Sequence, residues 1–178
     1  GANFDIYGKP DKNLEENSTN QGYIEQVIGG SGRNVAEMLV KLGIETELIT
    51  AIGNDEHGKI IADHCIKSGI RLDKSSIYEN QKTSNYISLL DANKETRYAV
   101  ADMTIMNKIT PAVISKKKMD INHSELIILD GNLPESTIDF ILTNFKKKKI
   151  LVDPTSFEKA EKFVNNLKNI YMLKLNKK

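Results

Sequence analysis

Three glycines within four residues, Gly29-Gly30-Ser31-Gly32, follow the apolar pair Val27-Ile28 and lead into Arg33-Asn34-Val35-Ala36-Glu37-Met38-Leu39-Val40-Lys41-Leu42-Gly43. Val35, Met38, Leu39 and Leu42 recur at helical spacing, and Gly43 stands where a helix would stop. The pattern predicts a strand, a tight turn and an amphipathic helix. Glycines at a helix start let backbone and ligand come close, and the free N–H groups there favour an oxygen-rich ligand. Asn34, one turn in, can donate and accept toward the same point. The stretch marks a place for a polyol or a phosphate, with a ligand-free turn as the alternative. A dinucleotide fingerprint does not fit, because Val35 stands where a third small residue is needed and the strand expected over 46–52 ends without an acid. No phosphate loop ending in Gly-Lys-Ser/Thr occurs in the chain.

The 178 residues suit one domain with a sizeable core. A net charge of +1 gives no global pull toward nucleic acid or an anionic membrane. One cysteine, Cys65, rules out an internal disulfide and fits a reducing, cytoplasmic setting. No apolar run approaches the roughly 18 residues of a membrane span. His57, His64, His123 and Cys65 do not spell a metal site, since the adjacent His64 and Cys65 diverge on a helix. The lysine runs 116–118 and 146–149 lack interleaved aromatics and read as solvated helix ends.

Taken in order, residues 2–8 read as a strand on which Asn3 and Asp5 share a face. Residues 9–22 are polar and turn-rich, and 23–28 read as a strand. A strand over 46–52 and a helix ending before Gly69 come next. From about residue 76 to 100 the pattern changes to hairpins, with Asp91-Ala92-Asn93-Lys94-Glu95 as a turn. Buried strands over 126–130, 150–154 and 170–173, separated by helices over 134–145 and 157–167, imply parallel crossovers. Ligands in such sheets sit beyond the strand carboxyl ends, where Asp130, Asn132, Asp153 and Asn176 fall.

Asn3-Phe4-Asp5, then Gly29-Gly30-Ser31-Gly32-Arg33-Asn34, then Ala51-Ile52-Gly53-Asn54-Asp55-Glu56-His57-Gly58 together resemble the ribokinase-like (PfkB-type) sugar and nucleoside kinases. Thr83-Ser84-Asn85-Tyr86-Ile87-Ser88-Leu89-Leu90-Asp91, Ala101-Asp102-Met103-Thr104-Ile105, Val152-Asp153-Pro154 and Leu173-Lys174-Leu175-Asn176 look most like the pseudouridine-kinase branch. The resemblance implies a three-layer α/β/α domain with a small β-sheet lid, made from about 9–28 and 76–101. Such a lid closes over the sugar and can join two copies as a homodimer. The resemblance also implies a small-molecule nucleoside or sugar substrate, ATP, Mg2+ and, as a further candidate, a monovalent cation such as K+. Asp5 with Asn3 would hold sugar hydroxyls, and Gly29, Gly30 and Asn34 other ribose oxygens. Ser84, Tyr86, Asp102 and Met103 would face the base, and Asn132 would reach the substrate. Asp153 would lie near the phosphates, and Asn176 would open the Asn-x-x-Glu motif that organises magnesium.

The family's second glycine-rich motif, Gly-Ala-Gly-Asp, supplies the anion hole and the base, and it does not occur in these residues. The expectation is therefore a partial kinase domain, truncated on the C-terminal side before its ATP-binding part. Its base would lie beyond Lys178, leaving this chain inactive alone. The parent would phosphorylate the 5′-hydroxyl of pseudouridine. A ribokinase or adenosine kinase type is the first alternative. A sugar-sensing regulator without chemistry, with a DNA-binding segment before Gly1, is the second.

Overall fold

In the computed structural model, which describes residues 1–175, β1 (Asn3–Pro10) turns through 11–21 and returns as β2 (Gly22–Gly29). The hairpin sets Asn3 opposite Gly29 and Asp5 opposite Val27. α1 (Ser31–Lys41) follows Gly30 directly; β3 (Ala51–Gly53), α2 (Glu56–Lys67) and β4 (Ser76–Tyr78) then form a parallel crossover. β5 (Asn85–Leu90) runs parallel to β1, and β6 (Thr96–Asp102) returns beside it, giving a four-stranded sheet β2-β1-β5-β6. A 3-10 turn (Thr104–Lys108), α3 (Pro111–Lys116) and α4 (Lys118–His123) lead to the parallel strands β7 (Leu126–Asp130), β8 (Lys149–Asp153) and β9 (Met172–Leu173). These are joined by α5 (Glu135–Asn144), and by α6 (Phe157–Ala160) with a 3-10 stretch over Glu161–Asn169.

Neighbours on β3 show how the body is layered. Ala51 packs into a core with Met106, Leu129, Ile138, Phe145 and Ile150, whereas Ile52 packs with Ala2, Phe4, Ala36, Ile61 and Cys65. Successive strand residues point to opposite faces, so a strand buried on both sides must be covered by helices on both. Side chains cap the helices where the sequence supplies them: Asp55 accepts from Gly58 N–H at 2.8 Å, and Thr110 precedes Pro111 at the start of α3.

Four expectations change. The strand over 46–52 shrinks to Ala51–Gly53 plus an isolated Glu47–Arg71 bridge. Ser75 causes this, because its hydroxyl donates to Leu48 O at 2.7 Å and accepts Thr50 N–H at 3.0 Å, replacing the ladder. Residues 76–78 pair with β3 in the parallel body, and the antiparallel pairing of the second hairpin begins only at Asn85. The helix over 157–167 tightens to 3-10 from Glu161, and Asn166 leaves helical geometry to donate to Asp139 at 2.6 Å. On α1, Arg33 and Ala36 are buried while Met38 and Leu42 are exposed, so the helix is turned away from its predicted apolar stripe.

Candidate functional site

Asn3, Asp5 and Tyr7 alternate onto one face of β1, and Tyr86 is the register partner of Asp5 on β5. Asn3 Nδ2 and Tyr7 Oη both donate to the Asp5 carboxylate, the tyrosine at 3.3 Å. Burial pushes the Asp5 carboxyl above its ordinary value, against the lowering influence of Tyr7, Arg33 and Asn3. The carboxylate lies over Gly29: a Cβ built there would fall 2.3 Å from Asp5 Oδ2. Tyr7 meets Tyr86 edge-on, with ring centres 6.2 Å apart.

Gly30 has φ +99°, and a Cβ there would sit 2.6 Å from Ala2 Cα, so only glycine makes this turn. The buried Arg33 guanidinium donates to the carbonyls of Ile28 (2.7 Å) and Gly29 (3.2 Å), and also to Asn34 Oδ1 and Glu37. Asn34 itself is exposed. Ser84 is buried and its carbonyl accepts Phe4 N–H at 2.9 Å, yet its Oγ has no partner among the described residues. By strand alternation Ser84 shares the face of Tyr86.

The first turn of α1 also reaches the carboxyl end of β7. The buried Asp130 accepts from Gly32 N–H (3.2 Å), Ser31 Oγ (3.3 Å) and Asn132 N–H (2.9 Å). Asn132 Oδ1 accepts from Lys159 at 2.5 Å, and burial pushes the Lys159 ammonium below its ordinary value. Asp153, at the end of β8, accepts Lys174 Nζ and Thr155 N–H, each at 3.1 Å. Thr155 has φ +70°, uncommon for a β-branched residue.

The structure thus sets Asn3 and Gly29 against the Asp5 carboxylate with Tyr86 as its register partner, Gly30 next along the turn, and Asn34 joined to that turn through Arg33. Asn132 and Asp153 fall at neighbouring strand ends. Asp102 pairs with Asn85, one residue out of phase with Tyr86, and caps the following 3-10 turn through Thr104 N–H at 3.0 Å. Met103 packs against the larger core, and Asn176 lies outside the described residues. Sequence reading passed over Tyr7, Arg33 and Lys159. Tyr7 was visible as the next residue in the Asn3/Asp5 alternation, and Arg33 as a charge inside a glycine turn.

A family model described as pfkB family carbohydrate kinase matches residues 1–178. The pseudouridine kinase of Escherichia coli is 35% identical over 176 residues, covering 99% of this chain and 56% of that protein. A carbohydrate kinase structure from Agrobacterium tumefaciens superposes with a TM-score of 0.87 at 26% identity, over 97% of this chain and 57% of that one. An Arabidopsis thaliana ribokinase complexed with ribose and ATP gives 0.76 at 23% identity, over 88% and 52%. The chain spans about half the length of the curated relatives it matches.

Proposed function

The chain belongs to the pfkB family of carbohydrate kinases, and from that premise we propose that it carries the sugar-binding part of an ATP-dependent nucleoside kinase. Pseudouridine is the proposed substrate and its ribose 5′-hydroxyl the acceptor. The carrying observation is the Asp5 carboxylate, backed by Asn3 and Tyr7 and lying over Gly29, where no side chain intervenes. An ionised carboxylate accepts two hydroxyl protons at once, which suits the vicinal diol of a ribose. The Tyr7–Tyr86 pair gives an aromatic wall beside it, and Ser84 keeps an uncommitted hydroxyl on the same face. Both features suit a flat polar base more than a bare sugar. The name of the E. coli relative supports the nucleoside, and the ligands of the Arabidopsis structure support sugar and ATP.

ATP, when bound, supplies the transferred phosphoryl group. Asn132, Lys159 and Lys174 offer amide and ammonium groups at or beside the strand ends, which fit an anionic polyphosphate. Asp153 offers one carboxylate toward Mg2+. A magnesium ion here would be carried mainly by phosphates and water. Phosphoryl transfer depends on positioning and charge neutralisation, so holding the ribose still is this site's share of the work.

The other face of the four-stranded sheet exposes Ile24, Ile87, Tyr98 and Val100, and we assign it to a homodimer contact. Sedimentation should show a dimer that Val100→Lys splits; a monomeric wild type removes the assignment. No helix among the described residues is long and apolar enough to cross a membrane, and the unpaired, buried Cys65 suits a cytoplasmic setting. The deciding assay is ATP-dependent phosphorylation by the full-length protein of pseudouridine, uridine, adenosine and ribose. Pseudouridine is expected to give the highest kcat/KM. A higher value for ribose or adenosine moves the protein to that branch, and binding without turnover makes it a sensor.

A further inference from the structure

The Arg33 guanidinium is buried, and three of its four hydrogen bonds run to the glycine turn and Asn34. Nε donates to Gly29 O at 3.2 Å and one Nη to Ile28 O at 2.7 Å, which fixes the end of β2 against Asp5. The same Nη donates to Asn34 Oδ1, and the other is held by Glu37, itself clamped by Lys41 at 2.7 Å. A guanidinium can only donate, so the Asn34 atom facing it must be the carbonyl oxygen. Asn34 is otherwise exposed, and its Nδ2 keeps two N–H groups without an acceptor among the described residues.

We infer that Arg33 is a positioning residue that locks the Asn34 amide oxygen inward, so that Asn34 offers the sugar donors only. Asp5 on the neighbouring strand, when ionised, offers acceptors only. The two therefore read a diol in one sense: one hydroxyl gives its proton to Asp5 while a sugar oxygen accepts from Asn34. An amide free to turn over would accept as readily as donate and would lose this selectivity. Lysine cannot replace the arginine, because a single ammonium cannot span two carbonyls, an amide and a carboxylate in one plane.

The inference rests on the nucleoside reading, and one binding series separates the two. Affinities of the full-length protein for pseudouridine and its 2′-deoxy and 3′-deoxy forms are measured by calorimetry for wild type, Arg33→Lys and Asn34→Ala. Wild type should prefer pseudouridine over at least one deoxy form by roughly tenfold, the scale of one hydrogen bond. Asn34→Ala should shrink that ratio to the share Asp5 contributes, and Arg33→Lys should shrink it as far with Asn34 intact. A merely structural Arg33 would weaken all three ligands alike and keep the ratio, which overturns the inference alone. Equal binding of all three ligands by wild type overturns it together with the placement of the diol on Asp5, while the binding of pseudouridine itself keeps the nucleoside as ligand. No binding of any of them removes both. Should Arg33→Lys fail to fold, arginine-labelled NMR of wild type decides: resolved, slowly exchanging Nη protons in contact with Asn34 support the lock, and a freely rotating guanidinium refutes it.

Discussion

Adding one methyl group at Gly29 tests the sugar site more sharply than removing Asp5. The new Cβ would lie 2.3 Å from Asp5 Oδ2 and 2.4 Å from Oδ1 and Cγ, roughly 1 Å inside van der Waals contact. The carboxylate is the movable partner, so it must swing away and give up its bonds to Asn3 and Tyr7. For the fold this is an overpacking defect of about 1–3 kcal/mol. For the ligand it removes two charge-assisted hydrogen bonds, each about 1.5–3 kcal/mol, so affinity should fall by about a hundredfold or more. Calorimetry with pseudouridine on full-length Gly29→Ala, beside a thermal melt, measures both. Gly43→Ala is the control: it strains a backbone at φ +80° but its Cβ meets nothing within 4 Å. It should lose about 1 kcal/mol of stability and no affinity. A folded Gly29→Ala that binds within threefold of wild type would refute the placement of the sugar on Asp5.

Other expectations concern pH and two polar residues near β5. Because burial raises the folded pKa of Asp5, the stability this group contributes is present in full below its unfolded value of about 3.9 and is lost as pH rises through the raised value. Sugar binding needs the ionised form and runs the opposite way, so affinity should fall as pH drops through that same value, and Asp5→Asn should flatten both profiles. Thr83 is fully buried; its hydroxyl donates to Asp55 Oδ1 at 2.6 Å and accepts Gly53 N–H at 2.9 Å. Thr83→Val should cost about 1–3 kcal/mol in chemical denaturation. Burial works to raise Asp55, but the Thr83 and Gly58 donors outweigh it and hold the group below its ordinary value. Asp55's stabilisation is thus lost as pH falls through the lowered value, and the variant should show a smaller loss. Ser84→Ala removes a buried hydroxyl without a partner, so melting should hold or rise while pseudouridine affinity drops and ribose affinity stays. Equal losses for both ligands would detach Ser84 from the base.

What the sequence disclosed follows the range of the forces involved. The runs at 126–130 and 134–145 came through nearly intact as β7 and α5, because an unbroken apolar run and helical periodicity are local signals. The strand over 46–52 failed because its partner's Ser75 side chain interrupts the ladder, a contact that no pattern within the strand can announce. The apolar stripe of α1 misled for a related reason. Arg33 is drawn inward by two carbonyls and Glu37, and the helix rotates to follow it, leaving Met38 and Leu42 outside. At the site, alternation on β1 found Asn3 and Asp5, and the same alternation one step further reaches Tyr7. Lys159 was out of reach, since it meets Asn132 only after the β7–α5–β8 crossover has closed.

The glycine turn gains its meaning from having two jobs that separate experimentally. Gly30 is a requirement of the backbone: its positive φ and the approach of Ala2 concern folding, whatever is bound. Gly29 has an ordinary strand conformation and is closed to other residues only by the Asp5 carboxylate. A turn that served folding alone would have no need to set a half-buried carboxylate against it, because holding that group ionised there costs free energy. Keeping glycine leaves Asp5 partly desolvated yet open on one side, and Arg33 behind the same turn supplies compensating positive charge. That combination is costly for a scaffold and useful for a pocket that receives hydroxyl groups. The damage done at Gly30 should therefore appear first in melting, and the damage done at Gly29 first in binding.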